Sequence, residues 1–239
     1  MSKVKCQMFL KLWHKVLDYV FPKNCLSCQE EGEYLCSSCF DKIEYIDKFS
    51  CFICNQGEFE MGICPDCQNE TGIDQIIVAT KYTDNIVGKL VEELKYNYLE
   101  DIAEVLGKVL VRQVKQKELS NQITNKTIIP IPLHKKRLAE RGFNQSDVIL
   151  QNIIKEFNNK VEKTFLTRQK ATSQQAKLSR VERLSNLKQA FKCDSSKGID
   201  KQVILFDDVL TTGATFSEAA KELKRSGVEG VVCLTVCHG

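Results

Sequence analysis

The distribution of apolar residues along the chain predicts a sheet of parallel strands with helices between them. Between residues 73 and 238, short apolar runs typical of strands alternate with stretches whose apolar positions recur every three or four residues, as in helices. The run VILFD at 203–207 has no polar alternation, as expected for a strand buried on both faces. The predicted strands are residues 73–82, 127–133, 203–207 and 229–238, and the predicted helices are residues 85–97, 101–116, 145–157 and 215–227. This order indicates an α/β domain with a doubly wound parallel sheet.

The N-terminal residues 1–22 predict a separate amphipathic helix that ends at Pro22. Lys11, Lys15 and Asp18 interrupt its apolar residues, so the segment is typical neither of a signal peptide nor of a membrane span. We expect this helix to pack on its own protein, and a membrane surface or a partner protein is the alternative. The chain is therefore expected in the cytoplasm, with a peripheral position at the inner face of the cytoplasmic membrane as the alternative.

Composition indicates a folded protein with an uneven charge distribution. Of the 239 residues, 43% are hydrophobic and 27% are charged, which excludes a disordered chain. The net charge is only +3, but residues 126–188 hold 14 Lys and Arg against 5 Asp and Glu, so the net charge of this segment is +9 and that of the remainder is −6. Such segregation indicates an electric field directed at a polyanion, either pyrophosphate or a nucleic acid.

Eight of the twelve cysteines form four C-x-x-C pairs within residues 25–67. A C-x-x-C turn presents two thiolates to one metal ion, and tetrahedral zinc takes four. We therefore predict two structural zinc sites that stabilise a segment with few large apolar residues. The simplest pairing is sequential, and an interleaved pairing stays open at this level. In the sequential pairing the ligands are Cys25, Cys28, Cys36 and Cys39 at one site and Cys51, Cys54, Cys64 and Cys67 at the other.

The stretch VILFDDVLTTGAT at residues 203–215 predicts a ligand-binding turn between a strand and a helix. Asp207 and Asp208 stand at the carboxyl end of the predicted strand, where ligands bind in open α/β sheets. The acidic pair can accept hydrogen bonds from ribose hydroxyls, directly or through Mg²⁺. The loop that follows offers backbone N–H groups, hydroxyls and a helix N-terminus to an anion. This loop consists of Thr211, Thr212, Gly213, Ala214 and Thr215.

This stretch resembles the motif that binds phosphoribosyl pyrophosphate (PRPP) in type I phosphoribosyltransferases, whose fold is a parallel sheet flanked by helices. The resemblance implies that Asp207 and Asp208 are the catalytic pair and hold the ribose 2′- and 3′-hydroxyls, while residues 211–215 cradle the 5-phosphate. It also implies that Mg²⁺ is bound together with PRPP. The pyrophosphate loop would include Pro132 and Lys135.

The basic segment also holds the residues that we expect to contact nucleic acid. A guanidinium group binds phosphate with two hydrogen bonds, and an aromatic ring can stack on a base. Single-stranded DNA would thus be held without sequence readout, mainly by phosphate neutralisation. Phe143 could either stack on a base or anchor its loop. The expected contacts are Lys135, Lys136, Arg137, Arg141, Phe143, Arg168, Lys170, Arg180 and Arg183.

Over nearly its whole length the chain resembles the ComF family, also called ComFC or competence protein F. The motifs that carry the resemblance are the four C-x-x-C pairs, LKYN at 94–97, IPIPLHKKRLAERGFNQ at 129–145 and DDVLTTGAT at 207–215. The resemblance implies a type I phosphoribosyltransferase-like sheet flanked by helices, with a small N-terminal zinc-ribbon module. The implied parts are the helix of residues 1–22, a double zinc ribbon at 23–70 and a phosphoribosyltransferase-like domain at 71–239.

The same resemblance implies a bacterial protein of natural transformation that handles incoming single-stranded DNA. The expected partners are single-stranded DNA, PRPP and a helicase-like ATPase of the same pathway. The motifs leave the chemistry open. Either the chain binds PRPP on a reused fold, or it is an active phosphoribosyltransferase, a pentosyl-transferring enzyme, with an unidentified acceptor.

Overall fold

The computed structural model describes residues 22–83, 85–97, 99–169 and 189–239. The chain divides into two compact units between Ile43 and Glu44. The predicted N-terminal helix, apart from Pro22, lies outside the described residues, and so do the predicted DNA contacts Lys170, Arg180 and Arg183. Because a compact unit and a domain need not share a boundary, the predicted division into residues 1–22, 23–70 and 71–239 stays a prediction.

The described part of the first unit, residues 22–43, is rich in turns. Asn24 and Glu31 form an antiparallel bridge. A short helix, α1 (Ser37–Phe40), begins directly after Cys36, which has extended backbone angles. Cys25 and Cys39 are buried within this small segment, although it offers little apolar surface of its own.

The described residues of the second unit are built on a five-stranded parallel sheet in the order β1-β7-β6-β2-β3. The central strands are apolar on both faces, as the unbroken apolar runs predict. The strands of this sheet are β1 (Gln75–Lys81), β2 (Thr127–Pro130), β3 (Lys160–Val161), β6 (Gln202–Leu210) and β7 (Gly230–His238). Two further strands, β4 (Leu166–Arg168) and β5 (Phe191–Cys193), form a separate antiparallel pair.

Helices cover both faces of the sheet. On one face, α3 (Asn85–Tyr96), α4 (Glu100–Gln116) and α7 (Gln145–Phe157) pack against one another and against β1 and β6. On the other face, α8 (Ala214–Arg225) packs on β7, on β5 and on α2 (Pro65–Thr71). Two short helices, α5 (Ser120–Ile123) and α6 (Lys135–Arg141), lie in the connections before and after β2. The predicted α/β class is confirmed, and every strand and helix predicted between residues 73 and 238 is present.

Strand β6 differs from its prediction in one way that affects the site. It runs to Leu210 rather than ending at Asp207, because Val209 and Leu210 stay in register with Cys237 and His238 of β7. The apolar run stops at the first charged residue, whereas the hydrogen-bonded ladder continues past it. Since successive side chains of a strand point to opposite faces, Asp207 and Asp208 are directed to different sides of the sheet.

Helix α6 and the pair β4–β5 were not predicted. Helix α6 has no buried residue, so it lacks the apolar stripe that identifies a helix in a sequence. Strands β4 and β5 are three residues long and lie more than twenty positions apart, so neither pattern nor spacing indicates their pairing. Among the described residues, no helix is both long enough and apolar enough to cross a bilayer.

Candidate functional site

The eight paired cysteines form two four-sulfur clusters. Within each cluster the sulfur atoms lie within 4.8 Å of one another. This spacing suits one tetrahedral zinc ion per cluster, with Zn–S bonds of about 2.3 Å. The sequential pairing is confirmed and the interleaved one is excluded. The clusters are Cys25, Cys28, Cys36 and Cys39 in the first unit and Cys51, Cys54, Cys64 and Cys67 in the second.

The two clusters repeat one local backbone design. The first C-x-x-C turn of each closes with a hydrogen bond in which the N–H of Gln29 or Asn55 donates to the carbonyl oxygen of Cys25 or Cys51. Gln29 and Asn55 both have positive φ, of 66° and 60°. The second C-x-x-C of each cluster starts a short helix, since Cys36 and Cys64 are N-caps with extended angles. The chain therefore presents four sulfurs at each site through the same turn-and-helix arrangement.

The first cysteine of each cluster is held in a setting that favours its thiolate. Burial alone would raise the pKa of Cys25, but backbone N–H groups from its own cluster lower it to about 6. Burial opposes ionisation of Cys51 in the same way, and backbone N–H groups again lower its pKa, to about 7. Because zinc binds the thiolate, these N–H donors fit a metal-binding role for the chain.

A second candidate site lies at the carboxyl ends of β2 and β6. These strands are parallel neighbours, and the chain leaves β2 toward β3 on one side and β6 toward β7 on the other. Ligands of open α/β sheets bind in the crevice at such a switch point. The N–H of Ile131 donates to the carbonyl of Phe206 and extends the ladder to the mouth of this crevice. The segments that contain Pro132 and Gly213 both start there.

Asp208 is buried beneath the crevice and is fully engaged by other side chains. Its Oδ2 lies 2.6 Å from Nζ of Lys95 on α3, and the exposed fraction of the Asp208 side chain is 5%. Gln145, on α7, donates from Nε2 to Oδ1 of Asp208 over 3.3 Å. Burial would raise the pKa of Asp208, but the Lys95 ammonium group outweighs it and the pKa is lowered. Asp208 thus acts as a charged anchor of α3 and α7 on the sheet.

Asp207 is half-buried and belongs to the other face of β6. Its Oδ1 accepts a hydrogen bond from Oγ of Ser146 over 3.0 Å. Burial, followed by the adjacent charge of Asp208, raises the pKa of Asp207 to about 7. Of the predicted acidic pair, Asp207 is therefore the more accessible carboxylate.

The predicted phosphate loop leads from β6 into α8. Gly213 is the N-cap of α8 and has φ of 72°, which other residues adopt only with strain. As the N-cap residue, Gly213 has no side chain that could cap this N-terminus. The first backbone N–H groups of a helix lack intrahelical partners and attract anions. Thr211 is exposed and Thr212 half-buried beside them, so the loop has the donors that a phosphate group requires.

The predicted basic contacts fall into two groups. Lys135 and Lys136 are exposed on α6, whereas Arg141 donates from a terminal nitrogen to Oε1 of Gln145 over 2.6 Å and so joins the Asp208 network. Arg168 lies over the ring of Phe191, 5.5 Å from its centre. Burial lowers the pKa of Arg168, the charge of Asp207 opposes that shift, and Arg137 adds to it. Arg168 is thus close enough to Asp207 and to Arg137 for both charges to act on it.

Packing determines the positions of Phe143, a predicted DNA contact, and of Pro132, a predicted PRPP contact. Phe143 is only 9% exposed, so its ring anchors the turn after α6 and has little surface for stacking on a base. Phe143 lines a groove together with Pro132 and Leu138. Leu138 is one of the few exposed large apolar residues of the described chain. Pro132 is half-buried at the start of this connection.

The sequence reasoning assigned no role to Lys95, Gln145 and Ser146, which hold the two aspartates. Lys95 and Gln145 belong to the family motifs LKYN at 94–97 and IPIPLHKKRLAERGFNQ at 129–145, and Ser146 follows the second motif, but nothing in their spacing places them beside the two aspartates. Each lies more than 60 positions from the aspartate that it contacts and meets it only through the packing of α3 and α7 on the sheet. The one weak signal of their role in the sequence is that each is a polar residue at the end of a predicted amphipathic helix.

The fold and the clusters define a class of protein in which a double zinc ribbon accompanies a parallel α/β sheet. A family described as "Double zinc ribbon domain" matches residues 16–68. Competence protein F of Haemophilus influenzae is 30% identical over 213 residues, which cover 87% of this chain and 86% of that protein.

Two further relatives agree with this match. The DNA utilization protein YhgH of Escherichia coli is 28% identical over 79% of this chain and 89% of its own length. Competence protein ComFC of Streptococcus pneumoniae is 27% identical over 95% of this chain and 97% of its own length. The chain belongs to the competence protein F (ComF) family, as its motifs predicted.

Replacing Cys25 by Ser is expected to leave one zinc ion per chain instead of two. Three thiolates hold zinc less well than four, and the sheet belongs to the other compact unit. Elemental analysis gives the metal content, and thermal unfolding followed by circular dichroism should show the main transition unchanged. Cys193→Ser, outside both clusters, is the control and should keep two zinc ions. A Cys25→Ser chain with two bound zinc ions would refute the ligand assignment.

Replacing Lys95 by Met is expected to destabilise the protein by about 3–5 kcal/mol, because it leaves the buried Asp208 charge unpaired. Adding Asp208→Asn should recover part of this loss. Urea unfolding at pH 7 measures both values. Lys108→Met on α4 removes only an exposed pair with Glu104 and should cost less than about 1 kcal/mol.

The ion pair also predicts a direction for the pH dependence of stability. The pKa of Asp208 is lowered on folding. Its contribution is therefore present above the ordinary Asp pKa of about 4 and is lost as the pH falls through the lowered value. The stability difference between the wild type and the Lys95→Met, Asp208→Asn double variant should shrink over that acidic range. A difference that stays constant down to the acid transition would contradict this role.

Proposed function

We propose that this protein acts in natural competence, where it handles single-stranded DNA during DNA uptake, and that its α/β domain binds PRPP with Mg²⁺. The names of its relatives, competence protein F, competence protein ComFC and DNA utilization protein, support the process. The expected setting is the cytoplasm, and the expected partner is a helicase-like ATPase of the same pathway. Two different surfaces of the protein support the DNA part and the PRPP part of this proposal.

A single arrangement carries the PRPP proposal: Asp207 stands beside the uncapped N-terminus of α8 at the switch point of the sheet. PRPP presents a phosphate group and vicinal ribose hydroxyls on one small sugar. The phosphate suits the loop of residues 211–215, whose N–H groups and hydroxyls are donors. The hydroxyls suit the carboxylate of Asp207, which is an acceptor. The loop thus offers hydrogen-bond donors to the phosphate group, and Asp207 offers an acceptor to the ribose hydroxyls.

The pyrophosphate group of PRPP requires positive charge. Arg168 and Arg137 supply it near Asp207, and Lys135 and Pro132 belong to the adjoining connection after β2. Mg²⁺ prefers oxygen ligands and is usually held by one or two carboxylates together with substrate phosphates. Asp207 fits that role, whereas Asp208 is occupied by Lys95 and supports it from below. When bound, Mg²⁺ would neutralise part of the pyrophosphate charge.

The DNA proposal rests on charge and exposure. The segment 126–188 carries a net charge of +9 in an otherwise acidic chain, and Lys135 and Lys136 are exposed on a helix without buried residues. Binding to single strands then comes mainly from phosphate neutralisation, which is independent of sequence. Because α6 borders the crevice, DNA and PRPP would bind to neighbouring surfaces.

Phosphoribosyl transfer is the second candidate function. The observation in its favour is that Arg168, on β4, is close enough to Asp207 for the two charges to interact. A half-buried guanidinium group in that place would stabilise the negative charge that develops on departing pyrophosphate. The acceptor is not indicated by any residue of the crevice. A binding protein and a transferase would share the same PRPP site.

Asp207→Asn is expected to weaken binding of PRPP at least tenfold, since a hydrogen bond to a charged group contributes about 1.5–3 kcal/mol. Calorimetric titration of the zinc-loaded full chain with PRPP and Mg²⁺ measures the dissociation constant. The matched control is Asp200→Asn, because Asp200 is exposed near the opposite end of the same strand. Wild-type protein that binds no PRPP, or Asp207→Asn protein that binds it normally, would refute the site.

Replacing Lys136 and Arg137 by Gln is expected to lower both the affinity for single-stranded DNA and its salt dependence. Each phosphate contact contributes about 0.7 to the slope of log K against log salt, so two contacts remove roughly 1.4. Fluorescence anisotropy with a labelled oligothymidylate at several salt concentrations measures this slope. Lys108→Gln with Lys201→Gln, both outside the basic segment, is the control. An unchanged slope in the test variant would exclude α6 as the DNA surface.

A further inference from the structure

The second zinc cluster packs against the phosphate loop. Phe52 and Ile53 are the two residues between Cys51 and Cys54, so metal binding determines where they lie. A Cβ atom built on Gly213 would stand only 2.2 Å from Cδ1 of Ile53. The Ile53 side chain therefore lies directly on the backbone at the start of α8, where the loop turns into the helix.

His238 forms a second connection between the same two parts. It ends β7, next to Leu210 of β6, and its ring centre lies 5.2 Å from that of Phe52. Burial lowers the pKa of His238, and the neighbouring backbone groups of Phe52 and Thr211 oppose that shift. One side chain thus joins the C-x-x-C turn to the first residue of the phosphate loop.

The first zinc cluster shows that a four-sulfur site does not itself require these side chains. Leu26 and Ser27 occupy the equivalent places between Cys25 and Cys28, and Ser27 is exposed. The turn hydrogen bonds and the positive φ after the second cysteine are nevertheless the same. The bulky pair Phe52 and Ile53 is therefore explained by what it contacts in the second unit rather than by zinc binding.

We propose that the second zinc cluster positions the phosphate loop, and that Ile53 and His238 are the positioning residues. An anion site made of backbone N–H groups binds well only if these groups converge before the ligand arrives. Gly213 leaves the loop backbone free to adopt other conformations. The positions of Ile53 and His238 beside the loop restrict that freedom. The inference rests on the proposed function only for the identity of the ligand, since loop order can be measured without it.

The test is Ile53→Ala in the zinc-loaded full chain, with hydrogen–deuterium exchange as the first readout. The expected result is two zinc ions per chain and an unchanged secondary structure. Amides in the peptide spanning residues 209–217 should exchange about tenfold faster, and PRPP affinity should fall about tenfold. Ile53→Val should restore most of both. Ser27→Ala is the matched control at the equivalent position of the first cluster, and it should change neither quantity.

The outcomes separate this inference from the proposed function. Unchanged exchange at residues 209–217 in Ile53→Ala would overturn the inference, even if wild-type protein binds PRPP. Faster exchange without any PRPP binding by the wild type would support the positioning role and refute the ligand. If Ile53→Ala loses zinc or does not fold, His238→Asn is measured in the same way. Normal loop exchange and normal PRPP affinity in that variant would also overturn the inference.

Discussion

The buried ion pair between Lys95 and Asp208 is the interaction on which the crevice depends. A carboxylate with 5% of its side chain exposed is tolerated only when charge and hydrogen bonds compensate for its lost hydration. Lys95 supplies the charge from α3, and Gln145 supplies a donor from α7. The pair therefore joins two helices to β6. By occupying Asp208, it also leaves Asp207 as the carboxylate that faces the crevice.

The two zinc clusters show how one local design serves different purposes in different surroundings. Their turns, N-caps and positive-φ residues correspond, so each segment folds around its own metal ion with few apolar residues. The first cluster lies in a small separate unit. The second shares a hydrophobic core with β6 and α8 through Phe52 and Ile63. A metal site of this second kind supports the shape of its neighbours as well as its own segment.

The basic residues of α6 lie partly in the network around Asp208 and partly on the surface of the protein. Helix α6 carries all of these cations, yet Arg141 hydrogen-bonds to Gln145 of the Asp208 network while Lys135 and Lys136 remain exposed. The same basic segment thus contributes a half-buried cation to the network around Asp208 and exposed cations to the surface. Membership in the competence protein F family agrees with a role in competence.

Local patterns determined much of this protein. The four C-x-x-C pairs predicted the zinc ligands, the apolar runs predicted the strands and helices of the α/β sheet, and the motif at residues 207–215 predicted the loop before α8. These features depend on neighbouring residues, so a single sequence shows them. The pairing of Lys95 with Asp208 and the contact of Ile53 with Gly213 join positions more than 100 residues apart. Only tertiary packing decided those contacts, as well as the continuation of β6 past Asp207, because hydrogen bonding to β7 outweighs the break in the apolar run.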